Sequence, residues 1–120
     1  MPPKKSDNAL ELERNKAREH VIVTGAGSGI GKEFVKLFLQ DGANVLAVSL
    51  IDEELNALKE EFSGYSGMLY TLKIDLSKEN ACELVENWCQ ENRWSVDTLV
   101  NNAGFAIYSE CVECDQLRVR

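Results

Sequence analysis

No run of apolar residues in this chain approaches the ~18 that a membrane-spanning helix needs. The longest candidate, VLAVSLI at 45–51, has the length of a strand instead. The opening MPPKKSDNALELERNKAREH has no apolar centre of the kind a secretory signal carries, and it holds too many acids for a transit peptide. Basic residues are also in short supply: 13 Lys and Arg stand against 20 Asp and Glu, for a net charge of −7. Such a surface repels nucleic acid and anionic membrane, so neither is expected as a partner. A small anion can still be held by a local nest of main-chain amides against that field.

Metal-binding spacing is missing as well. Cys82 and Cys89 lie on one face of an expected helix, and Cys111 and Cys114 form CVEC. A zinc site wants two close pairs, and a redox C-x-x-C wants a βαβ frame around it. Neither context is visible, so no metal ligands are assigned. The thiols are expected to be reduced and partly buried, in a cytoplasmic setting.

What the chain does hold suits one domain: 120 residues, 44% apolar and 28% charged, enough for one core and too few for two. Residues 1–19 read as a charged N-terminal extension, and 20–120 as the folded part. From residue 20 on, apolar runs of strand length alternate with stretches of helical spacing. HVIVT at 20–24 suits a buried strand. Ile30, Phe34, Leu37 and Phe38 then recur at helical spacing, and Asp41-Gly42 stops that helix. VLAVS at 45–49 is a second strand, and Leu55, Leu58 and Phe62 mark a second helix with Asp52 near its start. MLYTLKID at 68–75 alternates only in part, as a strand at a sheet edge would. Ser77 is the expected N-cap of a third helix, with Ala81, Leu84, Val85 and Trp88 as its core stripe. VDTLV at 96–100 is the fourth strand and runs into Asn101-Asn102-Ala103-Gly104. The order β-α-β-α-β-α-β implies an α/β fold, a doubly wound parallel sheet with right-handed crossovers.

Between the first strand and the first helix lies VTGAGSGIGKE, with glycines at 25, 27, 29 and 31. A triphosphate loop needs G-x-x-x-x-G-K followed by Ser or Thr. Aligned on Gly31-Lys32, that pattern puts Ala26 at the first glycine and Glu33 at the hydroxyl, where its charge would oppose the phosphates. Strict G-x-G-x-x-G also fails, since its third glycine falls on Ile30 or Lys32. T-G-x-x-x-G-x-G does fit, through Thr24, Gly25, Gly29 and Gly31. Gly25 permits the sharp exit from the strand, Gly29 lets the backbone approach a pyrophosphate, and Gly31 lets the helix pack closely on the sheet. The first amides of the helix then face the anion.

With these spacings the chain resembles the short-chain dehydrogenase/reductase family over roughly 21–117. Three signals carry the likeness: TGAGSGIG at 24–31, Asp75-Leu76 after the third strand, and NNAG at 101–104. The resemblance implies NAD or NADP as cofactor, with Gly25, Ser28, Gly29, Ile30 and Gly31 around the pyrophosphate and the nicotinamide ribose. Asp75 would accept a hydrogen bond from the adenine amino group, with Leu76 beside the ring. Asn102, Ala103 and Gly104 would close the adenosine side, while Thr24 and Asn101 tie the central strands in an order 3-2-1-4. In this family the end of the second strand, here Ser49 and Leu50, chooses between the cofactors. An acid there binds the ribose diol and a base pairs with the 2′-phosphate. VSL at 48–50 is similar to the VSR of NADP-using carbonyl and xylulose reductases, but Leu50 lacks the charge. Asp52 lies slightly past the NAD position, so the choice stays open.

Family members transfer hydride between the nicotinamide cofactor and a carbonyl or alcohol substrate, using a tyrosine acid/base and a lysine four residues later. Tyr65, Tyr70 and Tyr108 are followed at that distance by Leu69, Ile74 and Val112, so the pair is absent and no catalytic residue is assigned. His20 is expected at a strand edge rather than as a substitute. The last residues, 113–120, read as part of a helix. The expectation is therefore that 20–120 form a partial dinucleotide-binding domain of Rossmann type, the NAD(P)-binding half of a short-chain oxidoreductase, broken off after about four strands. Alone it should be inactive, and marginal or self-associating; at full length it should form a homo-oligomer. The competing expectation is a catalytically inactive dinucleotide-binding or interaction module.

Overall fold

A computed structural model describes residues 18–102. Within them, strands and helices alternate: β1 (His20–Thr24), α1 (Gly29–Gln40), β2 (Asn44–Ser49), α2 (Asp52–Glu61), β3 (Met68–Lys73), α3 (Ala81–Glu91) and β4 (Thr98–Asn101). All pairings are parallel, in the order β3-β2-β1-β4. The chain steps outward from β1 to β2 to β3, then returns past β1 to lay down β4. The direction of winding therefore reverses between β1 and β4, which is where open α/β sheets leave a crevice at the carboxyl ends of their strands.

The two-residue period of each strand divides the core. Val21, Val23, Val45, Ala47 and Val100 pack with Val35 and Leu39 of α1 and with Leu55 and Leu58 of α2. Ile22, Leu46, Val48 and Leu99 face the opposite layer, with Val85 and Cys89 of α3 and with Trp94. Because both faces of β1 and β2 are covered, these strands read as unbroken apolar runs. Each Val or Leu fully buried this way contributes ~1.5–3 kcal/mol relative to exposure. As its partial alternation implied, β3 lies at an edge, with Met68 and Lys73 exposed.

Four expectations change here. The face of α1 that meets the sheet is Gly31, Val35 and Leu39; of the expected stripe Phe38 packs in part against the core, while Ile30, Phe34 and Leu37 are 69%, 37% and 56% exposed. Two apolar stripes run side by side on this helix, one residue step or ~100° apart, and the stripe that includes the glycine packs inward. Nor does Ser77 cap α3. Its amide and hydroxyl instead donate to Asp75 Oδ1 at 3.0 and 2.6 Å, an Asx-type turn, and Asn80 takes the N-cap position. On α3 itself Ala81 and Val85 are buried as expected, whereas Leu84 is exposed. Cys82 and Cys89 do share the buried face, but only Cys89 is a free thiol. Cys82 is disulfide-bonded, so the expectation of reduced thiols fails there.

Candidate functional site

The site is assembled at the carboxyl ends of β1, β2 and β3. Thr24 closes β1 fully buried, and its Oγ1 donates to the Val100 carbonyl at 3.4 Å and to Asn101 Oδ1 at 3.0 Å. This is the tie between central strands that the sequence suggested. The backbone then turns through Gly25 at φ 61° and Gly29 at φ 57°, a region that costs other L-residues ~1–2 kcal/mol. Between them, the Ala26 amide donates to the Val48 carbonyl at 3.2 Å and fastens the loop to β2. Asn102 Nδ2 donates to the Gly25 carbonyl at 3.2 Å, across the crevice between β1 and β4. Gly31 is buried under that contact: a Cβ there would run into the Gly25 carbonyl and into Asn102 Nδ2. On the face of α1 that meets the sheet, its closest approach is to the backbone at the end of β1 and to the side chain that follows β4.

The helix that follows begins without a cap. Ser28 stands at the N-cap position with φ −157° and makes no side-chain cap, and no acid lies in the first turn of α1. The Lys32 amide to the Ser28 carbonyl, at 3.3 Å, opens the intrahelical ladder, which leaves the preceding amides outside it. By contrast, the first turn of α2 contains Asp52, Glu53 and Glu54. The positive end of α1 therefore lacks a carboxylate of its own, the arrangement that suits an incoming anion. Ser28, Gly29 and Ile30 are all exposed, and nothing lies within 4 Å of where a Cβ on Gly29 would be.

Beside this loop is a cavity of about 360 Å³ lined by Gly25, Ser49, Leu50, Ile74, Asp75, Leu76 and Ser77. It brings together five residues that the sequence singled out for the cofactor, Gly25, Ser49, Leu50, Asp75 and Leu76. Asp75 Oδ1 accepts both bonds from Ser77, and these bonds hold its carboxyl below the usual carboxylate range. Acceptor capacity remains on Oδ2. Ser49 is buried and its hydroxyl is committed: it donates to Glu54 Oε2 at 3.3 Å and accepts the Ile51 amide at 3.2 Å.

Glu54 is the residue that sequence reasoning missed. Its side chain lies directly over Gly27, where a Cβ would strike the carboxylate. An acid in the first turn after β2 was a visible signal, but Asp52 drew the attention. Asp52 in fact pairs with Lys73 Nζ at 3.1 Å, both side chains well exposed. Ala103 and Gly104, together with Tyr108 and the CVEC segment, lie outside the described residues. Among the described residues no group of three His, Cys, Asp or Glu could hold a metal, and no helix is long and apolar enough to cross a membrane. His20 sits at the far end of β1, where burial pushes its pKa below the usual value and Asp97 acts weakly the other way.

A glycine loop at the reversal point of a parallel sheet, leading into an uncapped helix, defines a nucleotide-binding α/β domain. The family profile described as "short chain dehydrogenase" matches residues 19–119, and the chain belongs to that family. It is 39% identical over 88 residues to 3beta-hydroxysteroid dehydrogenase 2 of Eggerthella lenta, covering 73% of this chain and 34% of that protein. To the 3-oxoacyl-(acyl-carrier-protein) reductase FabG of Thermotoga maritima it is 40% identical over 85 residues, 69% of this chain and 34% of the relative. The solved structure of a metagenomic short-chain oxidoreductase in complex with NADP matches with a TM-score of 0.66 at 30% identity, over 72% of this chain and 38% of that one. The chain spans about a third of the length of the curated relatives it matches. Members of the family bind NAD or NADP.

Proposed function

We propose that this chain is the cofactor-binding half of a short-chain oxidoreductase that reduces a carbonyl or oxidises an alcohol. The observation that carries the proposal is the uncapped first turn of α1, opening beside the cavity at the carboxyl ends of the strands. The residues present fit a nicotinamide dinucleotide. Amides 29–31 and the bare surface of Gly29 would receive the diphosphate. The cavity, at about 360 Å³, lies within the ~300–1,000 Å³ typical of small-molecule sites and would take the adenosine. There Asp75 would accept from the adenine amino group and Leu76 would pack on the ring, with Asn102, Ala103 and Gly104 closing the far side. Bound there, the nicotinamide supplies or receives the hydride.

The described elements hold and orient; they contain no Tyr-x-x-x-Lys, and neither does the rest of the sequence. Turnover is accordingly assigned to a protein in which this half is joined to such a pair, and the homo-oligomer is proposed at that level too. The substrate proposal stops at carbonyl or alcohol. The likeness of Val48-Ser49-Leu50 to carbonyl and xylulose reductases rests on three residues, of which Leu50 carries no charge. The absent pair equally supports a second reading, a dinucleotide-binding module without catalysis.

Calorimetric titration of the 120-residue chain with NADH and with NADPH is the test. Saturable binding of at least one, displaced by ADP and without oxidation of the cofactor in the presence of aldehydes, is the expected result. Binding of neither would remove the nucleotide site from both readings.

A further inference from the structure

We infer that the outward flank of α1 is a self-association surface, on which a second copy of this chain docks its own α1 in the antiparallel sense. The inference does not depend on the dinucleotide reading. Ile30, Phe34 and Leu37 recur along one side of this 12-residue helix, and all three are exposed. Phe38 adjoins them, half buried. The fold leaves that side uncovered. Lys32 Nζ reaches Glu61 Oε2 of α2 at 2.6 Å, so α2 lies on the Lys32 side of α1. Phe34 stands two residues on, ~200° further round the helix, and turns away from α2. Because α3 packs on the opposite face of the sheet, no helix among the described residues flanks α1 on the Phe34 side.

The charges beside the stripe say what fits it. Glu33 and Lys36 border it on the edge away from Phe38. Glu33 is exposed and Lys36 half exposed, and neither side chain has an ion-pair or hydrogen-bond partner among the described residues. In an antiparallel pair of identical helices, like flank meets like flank. With Phe34 on the two-fold axis, Ile30 meets the second copy's Leu37 and Phe38, and each Glu33 comes beside the other copy's Lys36. The surface is complementary to itself, as an isologous contact requires. A parallel pair would set two helix N-termini of like partial charge side by side. The antiparallel pair sets each against a C-terminus and leaves the two glycine loops open at opposite ends. One helix of 12 residues, ~18 Å long, falls short of the ~1,000 Å² of a lasting interface. The dimer is therefore weak, with a dissociation constant between ~1 µM and ~1 mM.

Sedimentation velocity of the 120-residue chain, from ~10 µM to ~1 mM, is the test. A reversible monomer–dimer equilibrium is the expected result. Leu37→Glu, at an exposed position outside the nucleotide loop, should weaken it ~10-fold or more by burying an unpaired charge in the contact. Glu33→Lys should weaken it by bringing like charges together, and adding Lys36→Glu should restore it. That recovery reads out the antiparallel register, which non-specific adhesion would not reproduce. A monomer at every concentration overturns the inference, as does a dimer indifferent to Leu37→Glu. Weakening by Glu33→Lys with no recovery in the exchanged variant overturns it too. Urea midpoints matching the wild type establish that the variants fold; should Leu37→Glu fail there, the charge exchange decides alone.

Discussion

At the amino ends of the strands, His20 meets the Trp94 ring edge-on at 4.7 Å and Tyr70 packs against Trp94 and Trp88. The His20 amide donates to Asp97 Oδ2 and the Asp97 amide returns a bond to the His20 carbonyl, both at 2.9 Å. Thr98 Oγ1 donates to Glu19 Oε1 at 2.6 Å, and the Asn44 amide to the Glu19 carbonyl at 2.8 Å. At the carboxyl ends of the same strands stand glycines, an uncapped helix and a cavity. One end spends its large side chains on closing itself. The other spends small residues on staying open. The difference teaches that the sheet is stabilised at one end so that backbone groups can be left unmatched at the other, where a ligand can complete them.

Substitutions at the two ends should therefore fail in different ways. The largest effect on stability is expected at the sealed end, where Trp94→Ala should cost ~3–5 kcal/mol. Urea melting would show it as a lower midpoint, while nucleotide affinity of the fraction still folded should stay unchanged. At the open end, Gly31→Ala forces a Cβ into the Gly25 carbonyl and should cost ~1–3 kcal/mol while abolishing cofactor binding. Retained affinity in that variant would show that the loop is not the site. Gly29→Ala sharpens the contrast further. Open space surrounds it, so only the left-handed backbone is strained, at ~1–2 kcal/mol, yet affinity for the diphosphate should fall disproportionately.

The smallest effect is one of pH, and it belongs to the sealed end. Burial holds His20 below its ordinary value of 6.5, so as pH falls the unfolded chain takes up that proton before the folded one does. The contribution of His20 is present above that value and is lost as pH drops through the folded pKa. Urea midpoints measured at stepped pH should decline over that window more steeply for the wild type than for His20→Gln. Identical slopes would mean that the histidine is no more desolvated folded than unfolded.

Much of this arrangement was legible in the sequence, and the reason lies in period and spacing. HVIVT and VLAVS, short apolar runs, read as buried strands, and the weaker alternation of MLYTLKID marked an edge. Thr24, Gly25, Gly29 and Gly31 announced the loop because Gly25 and Gly29 take a left-handed backbone, Gly31 has no room for a Cβ, and Thr24 supplies a hydroxyl to the end of β4. What escaped were choices between neighbours of similar chemistry. Ile30-Phe34-Leu37 and Gly31-Val35-Leu39 are both helical stripes, and packing alone decides which faces the sheet. Ser77 can cap a helix or close an Asx turn on Asp75 with the same hydroxyl. Glu54 could not be separated from Asp52 and Glu53 by spacing, because its role arises from contact with Gly27 across two crossovers of the chain.

The two ends can be compared in one titration. Backbone amide resonances of the 120-residue chain, followed by NMR as ADP is added, report on both at once. Our account predicts saturable shifts at Gly29, Ile30 and Gly31, smaller ones at Gly25 and Asp75, and stationary signals at His20 and Trp94. Stationary loop amides at saturating ADP, or shifts centred on the sealed end, would contradict it.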